Sequence, residues 1–206
     1  MGVLTQNVMH RVRGLMPAEP VSLGQAYFIA EQQGTLLPRL LGMTHVPVDV
    51  DRVSRLSRVA LGMKPREEMD GRPAKSRWWK GRWEIVACQD DPIVVRRFAL
   101  AREIKRVLDA TTQRVVYAGL RCENEAHYQH RIESICDHFA SCLLMPRVVV
   151  RRAWTSGLND LACLAELFQV SVMVMERRLT HLGLINLDRA AAGPYTYTGS
   201  GVLTAM

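Results

Sequence analysis

Two stretches with helical apolar spacing in the middle of the chain restrict its fold more than any other feature. Residues 93–109, IVVRRFALAREIKRVLD, set Phe98, Ala101, Ile104, Lys105 and Leu108 at helical intervals, which predicts a helix with one buried face. Residues 123–145 predict a longer helix that stops at Pro146, because the proline ring cannot continue an α-helix. Both apolar faces need cover, and the flanking sequence offers it. Residues 20–43 read as a long amphipathic helix entered near Pro20–Ser22, broken near Gly34 and left at Gly42. Residues 44–75 are weaker: VPVDVDRVSRL gives a strand or short helix, and KPREEMDGRPAK a polar loop. WWKGRWEIVAC, Trp78–Cys88, predicts a hairpin turning at Lys80-Gly81. Residues 158–184 read as helix, turn at Gln169-Val170-Ser171, helix, with Ser171 as N-cap of the second. The order implies an α+β domain with a helical C-terminal piece.

At 206 residues, 48% hydrophobic and 23% charged, the chain has room for one domain or one with a small appendage, and disorder and fibrous repeats are excluded. No apolar run approaches the roughly 18–20 residues of a membrane helix. The N-terminus lacks a secretory apolar stretch, and Gln6 breaks the myristoylation pattern. Five cysteines at irregular spacing suit a reducing compartment, so a cytoplasmic location is expected. A net charge of +7 would suit nucleic acid or an acidic partner, yet the arginines are scattered rather than blocked. Charge alone does not choose the function.

The segment RRFALAREIKRVLD, followed by ESICDHFASCLLMP, resembles the ImmA/IrrE family of metallo-endopeptidases, whose zinc helix reads RRFxLAHExxHxLD and whose second helix reads ExxxxxFAxxLLMP. The GRWEI strand and the closing LAELFQVSVMVMERRLTHLGL share the likeness, which runs in order over residues 20–187. The resemblance implies a zincin-like core, a small β-sheet with two long helices carrying the zinc site, followed by a helix-turn-helix-like subdomain. It divides the chain into an N-terminal segment 1–19, the ImmA/IrrE domain 20–150, a helical subdomain 151–187 and a flexible tail 188–206.

In HExxH, two histidines at i and i+4 bind zinc while the glutamate between them acts as general base. By the resemblance, Glu103 matches the base and Glu133 the third ligand, but Arg102 and Arg106 stand where the histidines belong. A guanidinium has no free lone pair and stays protonated, so it cannot replace imidazole. No cofactor is therefore expected, and the chain reads as a pseudo-peptidase. In place of the metal, an ion pair of Arg102 and Arg106 with Glu133 is expected to clasp the two helices. His130, Glu133 and Asp137 share a helix face with His127 and His138 nearby, but ligands from one helix rarely close a coordination shell, and a solvated polar face is the simpler reading.

Trp78, Trp79 and Trp83 offer either a base-stacking platform or, by the resemblance, a hairpin flanking a peptide cleft. In the C-terminal helix pair, Arg177, Arg178 and His181 are candidate DNA contacts, although a packing subdomain would show the same pattern. Three functions compete. The favoured one is a regulatory protein that binds a partner such as a helix-turn-helix transcriptional repressor. The others are a DNA-binding regulator and a zinc endopeptidase, natively active or inactivated by substitution, that cleaves a repressor.

Overall fold

The computed structural model describes residues 2–43 and 45–186, with side chains from residue 8 onward. The tail expected from residue 188 lies outside these residues. The elements are helices α1 (Gly2–Arg13) and α2 (Leu23–Leu40), strands β1 (Val59–Lys64), β2 (Ala74–Trp79) and β3 (Arg82–Cys88), then helices α3 (Ile93–Asp109), α4 (Gln113–Val116), α5 (Glu125–Leu144), α6 (Arg147–Thr155), α7 (Leu161–Phe168) and α8 (Val172–His181). The class is α+β. No helix among the described residues is long and apolar enough to cross a membrane.

The sheet has the order β1-β3-β2, with β1 parallel and β2 antiparallel to β3. Lys80 and Gly81, both at positive φ (46° and 78°), form the two-residue turn of the β2–β3 hairpin, a pairing that matches the twist of its strands. Alternation puts the register pairs Ala74/Ala87, Ser76/Ile85 and Trp78/Trp83 on one face, where Ile85 and Ala87 are buried. Ser76 meets the α3 residue Glu103 from that face. Helix α3 lies between the sheet and α5, and α5 packs in turn against α2.

Helix α2 starts at a reciprocal cap, in which Ser22 accepts from the Gln25 N–H and Gln25 accepts from the Ser22 N–H. It does not break at Gly34. A Cβ there would stand 2.9 Å from Cys142 Cβ and 3.0 Å from the Phe139 carbonyl oxygen, so Gly34 is the point where α2 and α5 touch. Burial of Ile132, Ile135, Phe139 and Leu143 on the inner side of α5 contributes roughly 1.5–3 kcal/mol per side chain.

On α3 the expected buried face includes a lysine that is fully buried. Lys105 Nζ binds Asp109 (Oδ2 at 2.7 Å) and Gln33 Oε1 (2.6 Å), and the Tyr117 hydroxyl donates to Asp109 Oδ2 at 2.5 Å. Gln33 Nε2 reaches on to the Val12 carbonyl at 3.2 Å, so one satisfied network ties α1, α2, α3 and the turn at Tyr117 together.

Both helices of the C-terminal pair start on side-chain caps, and the first ends on a left-handed residue. Asp160 accepts from the Cys163 N–H, Gln169 takes a left-handed conformation (φ 50°) to end α7, and Ser171 accepts from the Val174 N–H to start α8. Three arginines join the pair to the rest. Arg97 Nε donates to the Gln169 carbonyl at 3.3 Å, Arg151 Nη2 to the Leu182 carbonyl at 3.2 Å, and Arg178 Nε to the Met145 carbonyl at 3.1 Å.

Candidate functional site

Arg102 and Arg106, one turn apart on α3, point at the same carboxylate of α5. Arg102 Nη2 pairs with Glu133 Oε2 and Arg106 Nη2 with Glu133 Oε1, so each carboxylate oxygen has its own guanidinium. The ladder extends both ways. Arg102 Nε lies 2.6 Å from Asp137 Oδ1, one turn further along α5, and Arg106 Nε lies 3.2 Å from Glu103 Oε1. Ser76 Oγ of β2 donates to Glu103 Oε2 at 2.6 Å. A continuous polar chain thus runs from the sheet through α3 to α5: Ser76, Glu103, Arg106, Glu133, Arg102, Asp137.

Its electrostatics follow from partial burial among alternating charges. Burial pulls the Arg106 pKa down, but Cys136, Glu133 and Glu103 more than offset it and leave it above the ordinary arginine value. Burial raises Asp137 above the usual carboxylate range against the pull of Arg102, with Glu133 adding to the rise. Cys136 is pushed up to about 12 by burial, so beside this cluster it is a packed thiol and not a nucleophile.

These residues do not fit zinc. The two positions that would supply imidazole nitrogens carry permanently protonated groups, and those groups occupy the face of Glu133 that a metal would need. Among the described residues no set of three His, Cys, Asp or Glu side chains is placed to hold a metal ion. His130 is exposed, His127 accepts from Arg131 Nε at 3.1 Å, and His138 turns toward Tyr27 and His181.

The other candidates separate. Trp78 and Trp83 face each other in register with ring centres 5.6 Å apart, on the sheet face that carries Ser76. Trp79 falls on the opposite face beneath Arg77 (5.2 Å) and Lys80 (5.8 Å), so alternation removes it from the cleft. Arg178 is only 2% exposed, because it caps the end of α5 at Met145 and also reaches Cys142 Sγ at 3.3 Å. It is therefore not an exposed DNA contact. The His181 ring lies tilted against His138 with ring centres 4.6 Å apart, and Arg177 is exposed and acts on Asp137. Sequence reasoning missed Ser76 and Asp137 as parts of the cluster. Position gave a signal for Asp137, which lies four residues after Glu133 on one helix face.

A cavity of about 350 Å³ opens beside Arg102 and Asp137, between α3, α5 and α8.

A three-stranded sheet backed by a helix with the charged i, i+4 pair, joined to a second helix by its glutamate, defines a zincin-like framework. The model of the IrrE N-terminal-like domain matches residues 71–180, more than half of the chain, and the protein belongs to that family. A solved structure described as a Mycobacterium tuberculosis transcriptional regulator shares the fold at a TM-score of 0.52 and 16% identity, with 84% of this chain and 51% of that chain covered. The chain therefore spans about half the length of that protein. Comparison with curated proteins finds no match.

Proposed function

We propose that this protein is a non-hydrolytic IrrE-type regulator of the cytoplasm that keeps its family's peptide cleft and uses it to hold a protein partner, a DNA-binding repressor or related regulator. The observation that carries this reading is the pairing of Arg102 and Arg106 with Glu133 where a zinc ion would be bound. Water without a metal has a pKa near 15.7, far from a nucleophile at neutral pH. Glu103 cannot compensate, since one of its oxygens accepts from Ser76 and the other pairs with Arg106. The machinery for cleavage is dismantled while the surface for binding is kept.

Among the described residues strand β2 is an edge strand, with one row of its backbone groups facing no neighbouring strand. An extended segment of a partner can add there beside Trp78 and Trp83, with main-chain hydrogen bonds for affinity and the indoles for selectivity. In this reading residues 20–150 carry the cleft and 151–187 the helix pair. The shared fold with a protein described as a transcriptional regulator supports a regulatory role. Burial of Arg178 weighs against DNA reading by α8, and a gel shift whose affinity falls steeply with salt would restore that alternative.

Elemental analysis of protein dialysed against zinc tests the reading. The wild type is expected to bind none and to leave a helix-turn-helix repressor intact while binding it. Arg102→His with Arg106→His should recover zinc, because Glu103 and Glu133 remain in place. Near-stoichiometric zinc in the wild type, or chelator-sensitive cleavage lost in Glu103→Ala, would overturn it.

A further inference from the structure

The sheet has two faces, and the arginine ladder lies behind only one of them. Helix α3 packs on the face that carries Ser76 and Ile85. By alternation the opposite face carries Ala60, Gly62 and Lys64 of β1, Lys75, Arg77 and Trp79 of β2, and Arg82, Glu84 and Val86 of β3. Its middle is open: among the described residues a Cβ added to Gly62 would meet no heavy atom within 4 Å. The far end is closed by the connection between β1 and β2, where Lys64 pairs with Glu68 and Lys75 with Asp70. The hairpin end stays open, and Trp79 there leaves 48% of its surface to solvent.

Trp79 stands among cations. The Arg77 guanidinium lies 5.2 Å and the Lys80 ammonium 5.8 Å from the centre of its ring, and Arg82 is its register partner across the hairpin. One carboxylate on these strands answers the three. Glu84 accepts from Arg77 Nη2 at 2.8 Å and meets Arg82 Nη2 at 3.5 Å. The hydrogen bond from Arg77, with Arg82 adding to it, holds the Glu84 carboxyl below the ordinary carboxylate range, so this acid is charged and counts in full. With Glu84 counted, the hairpin end keeps two positive charges in excess. A half-exposed indole between cations on a flat face is complementary to an unstacked base with a phosphate on either side. A lipid surface fits less well, because sinking Trp79 into hydrocarbon would take Arg77 and Lys80 out of water with it. A duplex fits less well, because its bases must first be unstacked from one another.

We propose that the outer face of the β2–β3 hairpin binds a single-stranded polynucleotide, with a base stacked on Trp79 and the neighbouring phosphates paired with Arg77, Lys80 and Arg82. The strand residues on this face include no hydroxyl or amide side chain, so the site reads bases and phosphates without choosing between ribose and deoxyribose. It lies on the opposite face from Trp78 and Trp83, and stands whether or not a partner segment adds to the edge of β2.

The test measures binding to the full chain by fluorescence anisotropy. Labelled oligothymidylate and oligouridylate of about 12 nucleotides are expected to bind within about threefold of each other, and at least about tenfold tighter than a duplex of the same length. The logarithm of the affinity should fall with the logarithm of salt concentration at a slope of about −2, three phosphates at about −0.7 each, and Lys80→Gln should lessen that slope by about 0.7. Trp79→Ala should weaken single-strand binding at least about fivefold, the low end of the loss of one stack, and Trp79→Phe should keep part of it. Glu84→Gln, which removes the competing carboxylate, should tighten binding roughly two- to fivefold, the worth of one exposed ion pair. Arg177→Gln on α8 should leave it unchanged. Absence of single-strand binding to the wild type would overturn the proposal, as would binding to phosphatidylserine vesicles in its place or a duplex bound as tightly. So would undiminished affinity in a Trp79→Ala variant whose far-ultraviolet spectrum stays that of the wild type.

Discussion

Lys105→Met should be among the most damaging single changes in this protein. Lys105 is wholly buried and Asp109 is 2% exposed, and each holds more than one partner. The substitution keeps the volume of the side chain but removes the ammonium, which strands the Asp109 carboxylate with the Tyr117 hydroxyl and leaves Gln33 Oε1 without its donor. Breaking a buried pair by removing one partner costs roughly 3–5 kcal/mol, because the remaining charge is desolvated without compensation. For a chain of this size that lowers the melting temperature by about 6–20 °C. The assay is urea unfolding followed by circular dichroism, carried through the double-mutant cycle of Lys105→Met with Asp109→Leu. Removing both charges should cost less than the sum of the single changes by about 2 kcal/mol or more, since residues in one network are not additive. A loss below about 1 kcal/mol for Lys105→Met, or a cycle additive within about 0.5 kcal/mol, would refute the idea that this buried pair is a coupled part of the core.

Three smaller effects can be measured alongside. Glu133→Ala should cost about 1–3 kcal/mol in the same urea assay, above an exposed pair but below a buried one, because Glu133 is 39% exposed while Arg102 keeps Asp137 and Arg106 keeps Glu103. Gly34→Ala should cost about 1–3 kcal/mol by forcing α2 off α5, visible as a lower urea midpoint at unchanged slope. His138, held neutral in the fold with its pKa near 4, takes up its proton first in the unfolded chain. The stability it contributes is full above about pH 6.5 and is lost as pH falls toward 4, by up to about 3 kcal/mol. The stability curve of His138→Gln should be flatter than that of the wild type across this window, and parallel curves would contradict the assignment.

The parts of the fold readable from sequence were those where period and punctuation agree. Residues 93–109 form the expected helix to the residue, and the Lys80-Gly81 turn closes the expected hairpin. Strand β1 escaped because it is short, half exposed and interrupted by Gly62, and its pairing with β3 is visible only in three dimensions. Helix α6, RVVVRRAWT, escaped because its run of β-branched valines argues against a helix, a preference that Pro146 at its start and the burial of Val150 override. At Gly34 the residue was visible but its role was inverted: what looks like a helix breaker is the gap that lets a second helix approach. In the candidate site, the resemblance to the ImmA/IrrE motifs identified Arg102, Arg106, Glu103 and Glu133 as residues to examine. Ser76 comes from a strand distant in sequence, and nothing in the alternation of β2 announces its partner. The burial of Arg178 depends on the end of α5 coming to rest beside α8, a tertiary fact that no local pattern encodes.

The arginine ladder changes what the joint between α3 and α5 answers to. A metal cross-link is occupied according to mass action, so its integrity tracks the supply of a trace element and the protonation of its ligands. Guanidinium and carboxylate groups arrive with the polypeptide in fixed ratio, close as the helices dock, and need no loading step. Their vulnerability is of another kind, since the half-exposed Glu133 is reached by mobile ions that screen its attraction to Arg106 within a Debye length of about 8 Å at physiological ionic strength. A joint closed by ion pairs is answerable to salt.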